Sequence, residues 1–543
     1  MPHAPSEMPE VDLVSIKRAL ISVSDKNGIV ELATTLQRQY GVALISTGGT
    51  CKALRQAGLT VADISEVTGF PEMMDGRVKT LHPLVHGALL GLRDHPEHVA
   101  AMTAHQITPI DLVIVNLYPF EQTVAKPDCT FAEAIENIDI GGPSMIRSAA
   151  KNHRSVAVLT QADQYADFLN QLATQQGQTN YTFRRRLAME AYCTTARYDA
   201  AIWPYLAQSV NATSPEPAEV AGLTPYLTPR LTRVQTLRYG ENPHQLAAFY
   251  AQNPTVPGVA TAQQLHGKAL SYINILDAEA SIELVREFDR PAAAVIKHTN
   301  PCGCAVAGTL AEAFDLAYAG DAVAAFGGIV ALNRDVDEET ATRIVTGKRF
   351  LEVLIAPGYT PAALQLLQSR WKDCRILATG PLGAHRPALH YHSVTGGMLV
   401  QQTDLGGFDR ASVQVVTQRQ PSEAEWADLG FVWLVTKHIK SNAVAVAKGG
   451  QLLGAGAGQM SRVTSSRLAI ELVAHNGHKA QLPGAVIGSD AFFPFADGPE
   501  ILLSAGVTGI VQPGGSKKDQ DTIDLCNRLG ATMVFVGQRH FKH

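Results

Sequence analysis

Short apolar runs alternate with helical patterns through the first part of the chain. Between Arg18 and Thr160, the runs RALISV, VALIS, DLVIVNL and SVAVLT are separated by stretches with helical periodicity such as GIVELATTLQRQY and TCKALRQAG. This alternation is typical of buried parallel strands joined by helices. The amphipathic stretch TFRRRLAMEAYCTTARYDAAIWPYLAQ then predicts one or two closing helices. We therefore predict a parallel α/β sheet in this part.

A segment rich in Pro, Ala, Ser and Thr, SVNATSPEPAEVAGLTP, follows without any sustained period and predicts a linker. Beyond it, PAAAVIKH, GGIVALN, GAVIGSD and ATMVFVG predict strands, and TLAEAFDLAYAG and SSRLAIELVAHN predict helices. This α/β region is longer than a usual single domain, so we expect two subdomains. The predicted limits are 12–210 for the first domain, 211–226 for the linker and 227–543 for the rest, with subdomains of about 227–375 and 376–543.

Charge and cysteine usage limit the class of partner. The net charge is −5 and the pI is about 6.4, which argues against binding a nucleic acid by general electrostatics and favours small anionic ligands. Seven scattered cysteines indicate reduced thiols in the cytosol. The first residues, MPHAPSEMPEVDL, lack the pattern of a signal peptide, and no apolar run is long enough to span a membrane. We expect a cytosolic protein with no membrane and no nucleic-acid partner.

The stretch ISTGGT, residues 45–50, predicts a phosphate site. It follows a predicted strand and opens a predicted helix, so its glycines allow backbone N–H groups to surround an anion at the helix N-terminus. It lacks the Gly-Lys-Thr ending of a nucleoside triphosphate loop, and a simple strand-to-helix turn is the alternative. SVSDK and NLYPF also end predicted strands, where ligands of parallel sheets collect. With GRVKTLHP and IDIGGPSMIRSAAKN they predict a cationic pocket for a phosphorylated substrate.

The stretch VIKHTNPCGCAV, residues 295–306, allows two chemistries. His298 could bind a metal with Cys302 and Cys304, or Lys297 and His298 could move protons without a metal. A zinc nucleobase deaminase requires His-x-Glu and Pro-Cys-x-x-Cys, which this stretch lacks. Neighbours on a strand point to opposite faces, so both side chains can enter one site only where the strand ends. We predict that Asn300-Pro301 turns the chain there; a solvent-exposed pair at a strand end is the alternative.

A third glycine-rich stretch, GAGAG, resembles a dinucleotide fingerprint. Gln459 and Ser461 stand where the last glycine of either register would be required. The Gly449-Gly450 pair before it predicts a hairpin instead. We therefore predict no nicotinamide site.

Ten motifs occur in an order that resembles one known family over residues 19–543. They are SVSDK, STGGT, FPEMMDGRVKTLHP, NLYPF, IDIGGPSMIRSAAKNH, RYGENPHQ, KHTNPCG, SNAVAVAKGGQ, GAGQMSR and SDAFFPFADG. The chain resembles the bifunctional purine-biosynthesis enzymes in which AICAR transformylase is fused to IMP cyclohydrolase. The resemblance implies a methylglyoxal-synthase-like N-terminal domain and a C-terminal region of two cytidine-deaminase-like α/β subdomains.

The resemblance also implies two reactions. The C-terminal region would transfer a formyl group from the co-substrate 10-formyltetrahydrofolate to AICAR, and the N-terminal domain would close FAICAR to IMP. No metal is implied for either step. A homodimer is implied, with small molecules as the other partners. A zinc-type nucleobase deaminase and a non-catalytic nucleotide-binding protein are the alternatives for this chain, and a methylglyoxal-synthase-type lyase is a further alternative for the N-terminal half.

Matching the family residue by residue implies the following sites. For cyclisation, Lys79 and Lys151 would act on the formyl oxygen, with Tyr118 and Asp139 handling protons and orientation. For formyl transfer, His298 would be the base, Lys297 the cationic partner and Asn442 the third member. The implied substrate-binding residues are Ser22, Lys26, Ser46, Thr47, Gly48, Gly49, Thr50, Arg77, Thr80, Asn116, Arg238, Tyr239, Asn274, Glu352, Phe492, Arg539 and His543. The implied folate-binding residues are Phe326 and Asp497.

Overall fold

The computed structural model describes residues 12–213, 223, 226–252 and 256–543. The chain forms two compact units that meet in the sequence between Arg230 and Leu231. Most of the predicted linker, 211–226, lies outside the described residues, and the predicted domain limits stay a prediction.

The first unit is built on a parallel sheet with helices packed against it. Its strands are β1 (Leu13–Ser15), β2 (Arg18–Val23), β3 (Ala43–Ser46), β4 (Val61–Asp63), β5 (Leu112–Asn116), β6 (Ala157–Leu159) and β7 (Gln178–Asn180). Its helices are α1 (Ile29–Tyr40), α2 (Gly48–Gln56), α3 (Ile64–Thr68), α4 (Pro83–Leu90), α5 (Pro96–Ala104), α6 (Phe120–Val124), α7 (Phe131–Glu136), α8 (Gly141–Lys151), α9 (Gln164–Thr174) and α10 (Tyr181–Thr213).

The sheet of the first unit has the order β4-β3-β2-β5-β6, and every neighbouring pair is parallel. Its strands are buried on both faces, as the four consecutive buried residues Leu112 to Val115 illustrate. This explains why they read as continuous apolar runs in the sequence. The parallel arrangement brings the carboxyl ends of β2, β3 and β5 to one edge, where Ser22, Ser46 and Asn116 lie. The predicted parallel sheet is confirmed, and the predicted closing element is the single helix α10.

The second unit contains more strands. They are β8 (Thr232–Leu237), β9 (Ala247–Ala251), β10 (Gln263–His266), β11 (Ala292–Lys297), β12 (Asn300–Val306), β13 (Gly328–Leu332), β14 (Leu351–Ala356), β15 (Arg375–Ala378), β16 (Leu389–Val394), β17 (Gly397–Gln402), β18 (Gln414–Val415), β19 (Val444–Lys448), β20 (Gln451–Gly456), β21 (Val486–Ser489), β22 (Gly509–Gln512) and β23 (Thr532–Phe535). Its helices are α11 (Tyr272–Val285), α12 (Leu310–Gly320), α13 (Glu338–Val345), α14 (Pro361–Arg370), α15 (Glu423–Lys437), α16 (Arg462–His475), α17 (Asp497–Ser504) and α18 (Asp519–Arg528).

Twelve of these strands form one sheet that consists of two equivalent halves. The order is β10-β15-β14-β13-β11-β12 followed by β20-β19-β21-β22-β23-β18. In each half the central hairpin is followed by one antiparallel and then two parallel neighbours, with an antiparallel strand at the edge. The halves join where Ala305 pairs with Gln451. The two predicted subdomains therefore share one sheet, and the predicted hairpin at Gly449-Gly450 is confirmed.

The alternation of side chains along β11 divides the cores of this unit. Ala292, Ala294 and Ile296 face a cluster that also contains residues of α11 and α15, and that extends across both halves. Ala293 and Val295 face the opposite side, where α12 to α14 cover only the first half. A separate cluster under α16 to α18 covers the second half. Because strand side chains alternate between faces, one strand contributes to both cores.

Candidate active sites

The predicted phosphate site lies at the start of α2. Thr47 is the residue before the helix, and its hydroxyl lies 2.8 Å from the hydroxyl of Ser22 at the end of β2. Gly48 has a φ of 41° and is exposed together with Gly49. A Cβ on Gly48 would lie 3.1 Å from Lys79 Nζ, so the ammonium group lies over the first turn of the helix. A helix N-terminus and a cation in this arrangement favour an anion.

Asp139 and Tyr118 lie beside this edge of the sheet. Asp139 Oδ1 accepts a hydrogen bond from the N–H of Gly142 at 2.8 Å, and a Cβ on Gly142 would lie 2.5 Å from the other carboxylate oxygen. Burial raises the pKa of Asp139, although the N–H groups of Gly142 and Tyr118 oppose the shift. Burial and the charge of Asp139 raise the pKa of Tyr118, so its phenol is protonated at neutral pH. The pair offers one proton acceptor and one proton donor.

Several residues implied as binding residues use their polar atoms within the fold. Ser46 Oγ donates to the carbonyl of Ile21, and Thr50 Oγ1 donates to the carbonyl of Val23. The side chain of Asn116 accepts from the N–H groups of residues 24 and 25 and donates to the carbonyl of residue 25. These contacts shape the loop after β2 at the edge of the site.

The remaining residues implied for the first unit differ in their exposure. Arg77 is exposed and pairs with Glu136, and Lys26 is exposed. Thr80 is buried beside the start of α8, since a Cβ on Gly141 would lie 2.6 Å from its hydroxyl. Lys151 ends α8, about 15 Å along the helix from Gly141. Its side chain is exposed and forms no hydrogen bond or ion pair with the described residues, so neither kind of contact joins it to Asp139.

In the second unit, the prediction that Asn300-Pro301 turns the chain is wrong. Strand β11 ends at Lys297 and β12 begins at Asn300, so His298 and Thr299 form the turn. Their φ values are 51° and 61°. A two-residue hairpin turn of this kind requires positive φ at both central positions, which the fixed φ of Pro301 forbids. The imidazole of His298 is thereby presented at the tip of a hairpin, exposed at the surface of the unit.

Lys297 lies at the end of the strand and points toward the loop before β13. Its Nζ donates to the carbonyl of Phe326 at 3.1 Å and lies 3.4 Å from that of Gly327. The ring of Phe326 is 57% exposed and lies 5.4 Å from the ring of Phe350. Strand β14 begins directly after Phe350 and carries Glu352, which pairs with Arg375. An ammonium group and an exposed aromatic ring therefore lie together.

Asn300 connects the hairpin tip to the segment that carries Asn442. Its Oδ1 accepts from the N–H of Lys440 at 3.0 Å, and its Nδ2 donates to the carbonyl of His298 at 3.1 Å. Asn442 in turn donates through Nδ2 to the carbonyl of Gln459 and accepts at Oδ1 from Arg462. The side chain of Asn300 thus links the turn of His298 to Lys440, two residues before Asn442.

The C-terminal residues reach the same segment. Ser441 donates its N–H to the carbonyl of Lys542 at 2.9 Å, and Lys542 donates its N–H to Ser441 Oγ at 3.2 Å. His540 donates its N–H to the carbonyl of Asp490, two residues before Phe492. Close to these contacts, the guanidinium of Arg539 lies 4.4 Å from the ring of Phe541, which is 6.0 Å from the ring of His543. Asp497 begins α17 and is exposed.

The last three implied residues lie on other elements. Arg238 follows β8 and lies 5.6 Å from the ring of Tyr239. Asn274 is buried in the first turn of α11, where its side chain and that of Ser271 cap the helix reciprocally. No hydrogen bond or ion pair among the described residues ties Arg238 or Tyr239 to His298 or Asn442.

The two cysteines of the hairpin belong to the protein interior. Cys304 is fully buried in the core, and burial raises the pKa of its thiol. The thiol of Cys302 donates to the carbonyl of Val295, and burial raises its pKa to about 12. In the part of the chain that the structure describes, no group of three or more His, Cys, Asp or Glu side chains is placed to hold a metal ion. No helix there has the length and hydropathy needed to cross a membrane.

Sequence reasoning missed residues that hold the second site together. Arg462 lies within the motif GAGQMSR, so the motif contained the signal, although no role was predicted for it. Asp277 accepts hydrogen bonds from the N–H groups of His298 and Thr299. The equivalent residue of the second half is Asp428, and each aspartate precedes the last lysine of its hairpin strand by 20 residues.

Comparison with known proteins identifies the family. The model of the AICARFT/IMPCHase bienzyme matches residues 149–472, and that of the MGS-like domain matches residues 28–144. The chain belongs to the AICARFT/IMPCHase bienzyme family. The bifunctional purine biosynthesis protein PurH of Jannaschia sp. is 52% identical over 98% of this chain and 100% of its own. That of Halalkalibacterium halodurans is 50% identical over 97% of this chain and 100% of its own.

The crystal structure of ForH matches 35% of this chain and 97% of its own length at 36% identity, with a TM-score of 0.31.

Membership of the bienzyme family confirms the predicted fold class and the predicted activities. The protein is a bifunctional enzyme of purine biosynthesis that acts as AICAR formyltransferase and IMP cyclohydrolase, the last two steps of IMP synthesis.

Proposed function

We propose that the first unit closes FAICAR to IMP and that the second unit transfers the formyl group to AICAR. The observation that supports this division most is the side chain of Asn300, which links the turn of His298 to the segment of Asn442 within the second unit. The implied catalytic residues of the first unit form a separate group, in which Lys79 lies over the start of α2 and Asp139 lies against α8.

In the proposed cyclisation, the start of α2 with Ser22, Thr47, Gly48 and Gly49 holds the phosphate. The carboxamide nitrogen attacks the formyl carbon, and Lys79 stabilises the oxyanion that develops. Asp139, whose carboxylate is partly buried beside the site, accepts the proton that the carboxamide nitrogen loses, and the protonated phenol of Tyr118 donates one to the departing hydroxyl. Lys151, the last residue of α8, is the second cation for the formyl oxygen.

In the proposed formyl transfer, 10-formyltetrahydrofolate is the co-substrate. The amino group of AICAR is a weak nucleophile because its lone pair is delocalised, so it requires a base at its proton. His298 is that base, while Lys297 and the amide of Asn442 stabilise the tetrahedral oxyanion. The oxyanion then collapses, the bond from the formyl carbon to the folate nitrogen breaks, and that nitrogen takes up the proton that the amine has lost. The exposed rings of Phe326 and Phe492 are apolar surfaces suited to the folate and the base of AICAR. Neither proposed reaction requires a metal.

The enzyme is proposed to be a cytosolic homodimer whose other partners are its small-molecule substrates, with no nucleic acid and no membrane. The ribbon of β16 and β17 supports self-association, because it pairs with no other described strand and leaves Met398 and Leu399 exposed. An isolated two-stranded ribbon is only marginally stable in water. Sedimentation equilibrium of the full chain should give twice the chain mass, and a purely monomeric result would contradict the dimer.

One assay tests the division of labour. The protein receives AICAR and 10-formyltetrahydrofolate, and FAICAR and IMP are both followed; a second reaction starts from FAICAR. We expect His298→Ala to lose formyl transfer and to retain cyclisation of supplied FAICAR. We expect Lys79→Ala and Lys151→Ala to do the reverse and to accumulate FAICAR. Loss of both steps in a folded His298→Ala variant would contradict the two-site assignment.

A further inference from the structure

The tip of the hairpin that carries His298 has a backbone conformation that its residues disfavour. His298 and Thr299 have φ values of 51° and 61°, in the left-handed region. Side chains with a Cβ rarely adopt this region, and a β-branched residue such as Thr299 does so least of all. Something outside the turn must hold it in place.

The second half of the sheet contains the same turn without this conflict. The equivalent residues are Gly449 and Gly450, with φ values of 60° and 72°, which glycine adopts freely. The strand before each turn ends in a lysine, and each lysine ammonium donates to a carbonyl of the loop before the neighbouring strand: Lys297 to Phe326 and Lys448 to Pro483. The fold therefore provides the turn and its lysine in both halves, and only the first half places an imidazole at the tip.

A buried aspartate holds each turn. Asp277 in α11 is 2% exposed and accepts from the N–H of His298 at 3.2 Å through Oδ2 and from the N–H of Thr299 at 2.7 Å through Oδ1. Asp428 in α15 accepts from Gly449 and Gly450, both at 2.8 Å. A carboxylate is suited to this task, because it offers one acceptor to each N–H group. At the glycine turn the carboxylate satisfies two N–H donors, and at the histidine turn it also stabilises a backbone conformation that the residues themselves disfavour.

We propose that Asp277 is a positioning residue for formyl transfer, which fixes the imidazole of His298 by holding both N–H groups of the strained turn. This inference rests on the proposed role of His298 as the base. An asparagine at this position would present an amide NH₂ to one of the two N–H groups. The turn would then relax, and the imidazole would leave the position from which it takes the proton of AICAR.

The test uses the full chain and two matched variants. Asp277→Asn should lower kcat for formyl transfer roughly 100-fold, the loss that a displacement of about 1 Å can cause, with KM for AICAR changed less than about threefold. Asp428→Asn makes the same chemical change at the glycine turn and should leave kcat within about twofold. Both variants should cyclise supplied FAICAR at the wild-type rate. Similar thermal unfolding midpoints of the two variants would show that kcat does not follow stability.

A rescue separates positioning from a general structural role. Thr299→Gly removes the conformational conflict at the second turn residue. The double variant should therefore have a kcat at least about tenfold higher than that of Asp277→Asn alone. Failure of this rescue, an Asp277→Asn variant within threefold of wild type, or an equal loss in Asp428→Asn would each overturn the inference. His298→Ala is measured alongside: if it retains formyl transfer, the role of His298 is wrong and the inference falls with it. If it loses transfer while Asp277→Asn does not, only the positioning role is wrong.

Discussion

The side-chain oxygen of Asn442 accepts a hydrogen bond from Arg462 Nη2 at 2.9 Å. The other terminal nitrogen of the same guanidinium pairs with the fully buried carboxylate of Asp490 and lies 3.1 Å from Ser489 Oγ. One side chain therefore neutralises a buried charge and sets the direction of an amide that we place in the formyl transfer site. A planar guanidinium can serve two acceptors at once because its N–H groups are fixed in a fork.

We predict that Arg462→Lys impairs formyl transfer selectively. An ammonium group can pair with Asp490, but it is a single point and does not also hold Asn442. Loss of a hydrogen bond from a charged donor should lower kcat for formyl transfer by roughly tenfold or more. The assay compares formyl transfer with cyclisation of supplied FAICAR, which should not change. Arg467→Lys, on an exposed position of the same helix, is the control. Wild-type transfer by Arg462→Lys would refute this role.

A second prediction concerns the pH dependence of cyclisation. Burial raises the pKa of Asp139 above its ordinary value of 3.8. Because the proposed reaction requires the ionised carboxylate, kcat/KM for FAICAR should fall as the pH drops through this raised pKa. This fall is the acid limb of the pH profile. In Asp139→Asn the acid limb should disappear, and the rate at neutral pH should be lower by roughly 100-fold, the usual contribution of a proton acceptor.

Rate profiles between about pH 4 and 8 check this prediction. Asp128→Asn changes an exposed carboxylate of the same unit and should keep both the rate and the limb. An Asp139→Asn variant with an unchanged acid limb would assign the limb to another group.

The strands and helices can be predicted from the sequence because the residues that each of them buries recur at a regular spacing. The apolar runs of β2, β3, β5 and β6 and the helical patterns between them are local signals. No short repeated motif reveals that the two halves are equivalent, because the second Lys-His pair of the sequence, Lys437-His438, does not correspond to Lys297-His298. The true equivalent of Lys297 is Lys448, and Lys437 and His438 instead contact the buried carboxylate of Glu287.

The prediction that Asn300-Pro301 forms the turn of the hairpin is wrong for a physical reason. Local propensity places a turn at Asn300-Pro301 and disfavours one at His298-Thr299. The structure has the second arrangement because Asp277, distant in sequence, binds both N–H groups of the turn. A tertiary contact of this kind leaves no local trace. For the same reason, Ser46 and Asn116 match a binding motif although their polar atoms serve the backbone.

A third prediction tests the packing under the same hairpin. A Cβ on Gly303 would lie 1.8 Å from the carbonyl oxygen of Ala317, so β12 and α12 are in contact through backbone atoms. Gly303→Ala must move the strand from the helix, and we expect it to destabilise the second unit by about 3 kcal/mol. Thermal unfolding and formyl transfer should both show the loss, whereas cyclisation of FAICAR should persist.

Gly308→Ala is the matched control for this change. Gly308 lies just beyond β12, and the nearest atom to its Cβ would be a flexible carboxylate oxygen of Glu312 at 3.6 Å. This variant should unfold within about 1 °C of wild type, since surface substitutions of this kind change stability by less than about 0.5 kcal/mol. Equal unfolding temperatures for both glycine variants would show that β12 and α12 can separate without cost.

The fourth prediction concerns the acid stability of the second unit. Glu425 in α15 accepts two hydrogen bonds from Arg419, at 2.8 and 2.6 Å, and one from Thr508 Oγ1 at 2.8 Å. Burial raises its pKa, but these bonds and those from Ser422 outweigh burial and lower the pKa from 4.5 to about 2. The side chain is only 11% exposed, so solvent screens these contacts little.

A carboxylate with a lowered pKa in the folded state stabilises the protein above the pKa of the unfolded state. Its contribution is therefore complete above about pH 5 and is lost as the pH falls toward 2. Glu425→Gln cannot ionise, so wild type should exceed it by about 3 kcal/mol in free energy of unfolding at pH 7, and this difference should shrink on acidification. Urea unfolding of both proteins at a series of pH values measures the difference.

Glu423 provides the control. It lies in the same helical turn as Glu425 and also pairs with an arginine, Arg410, but its side chain is 82% exposed. Solvent screens an exposed ion pair of this kind, so the stability of Glu423→Gln should follow that of wild type at every pH. A difference between wild type and Glu425→Gln that is independent of pH would mean that the Arg419 contact stabilises the unit through packing and not through the charge of Glu425.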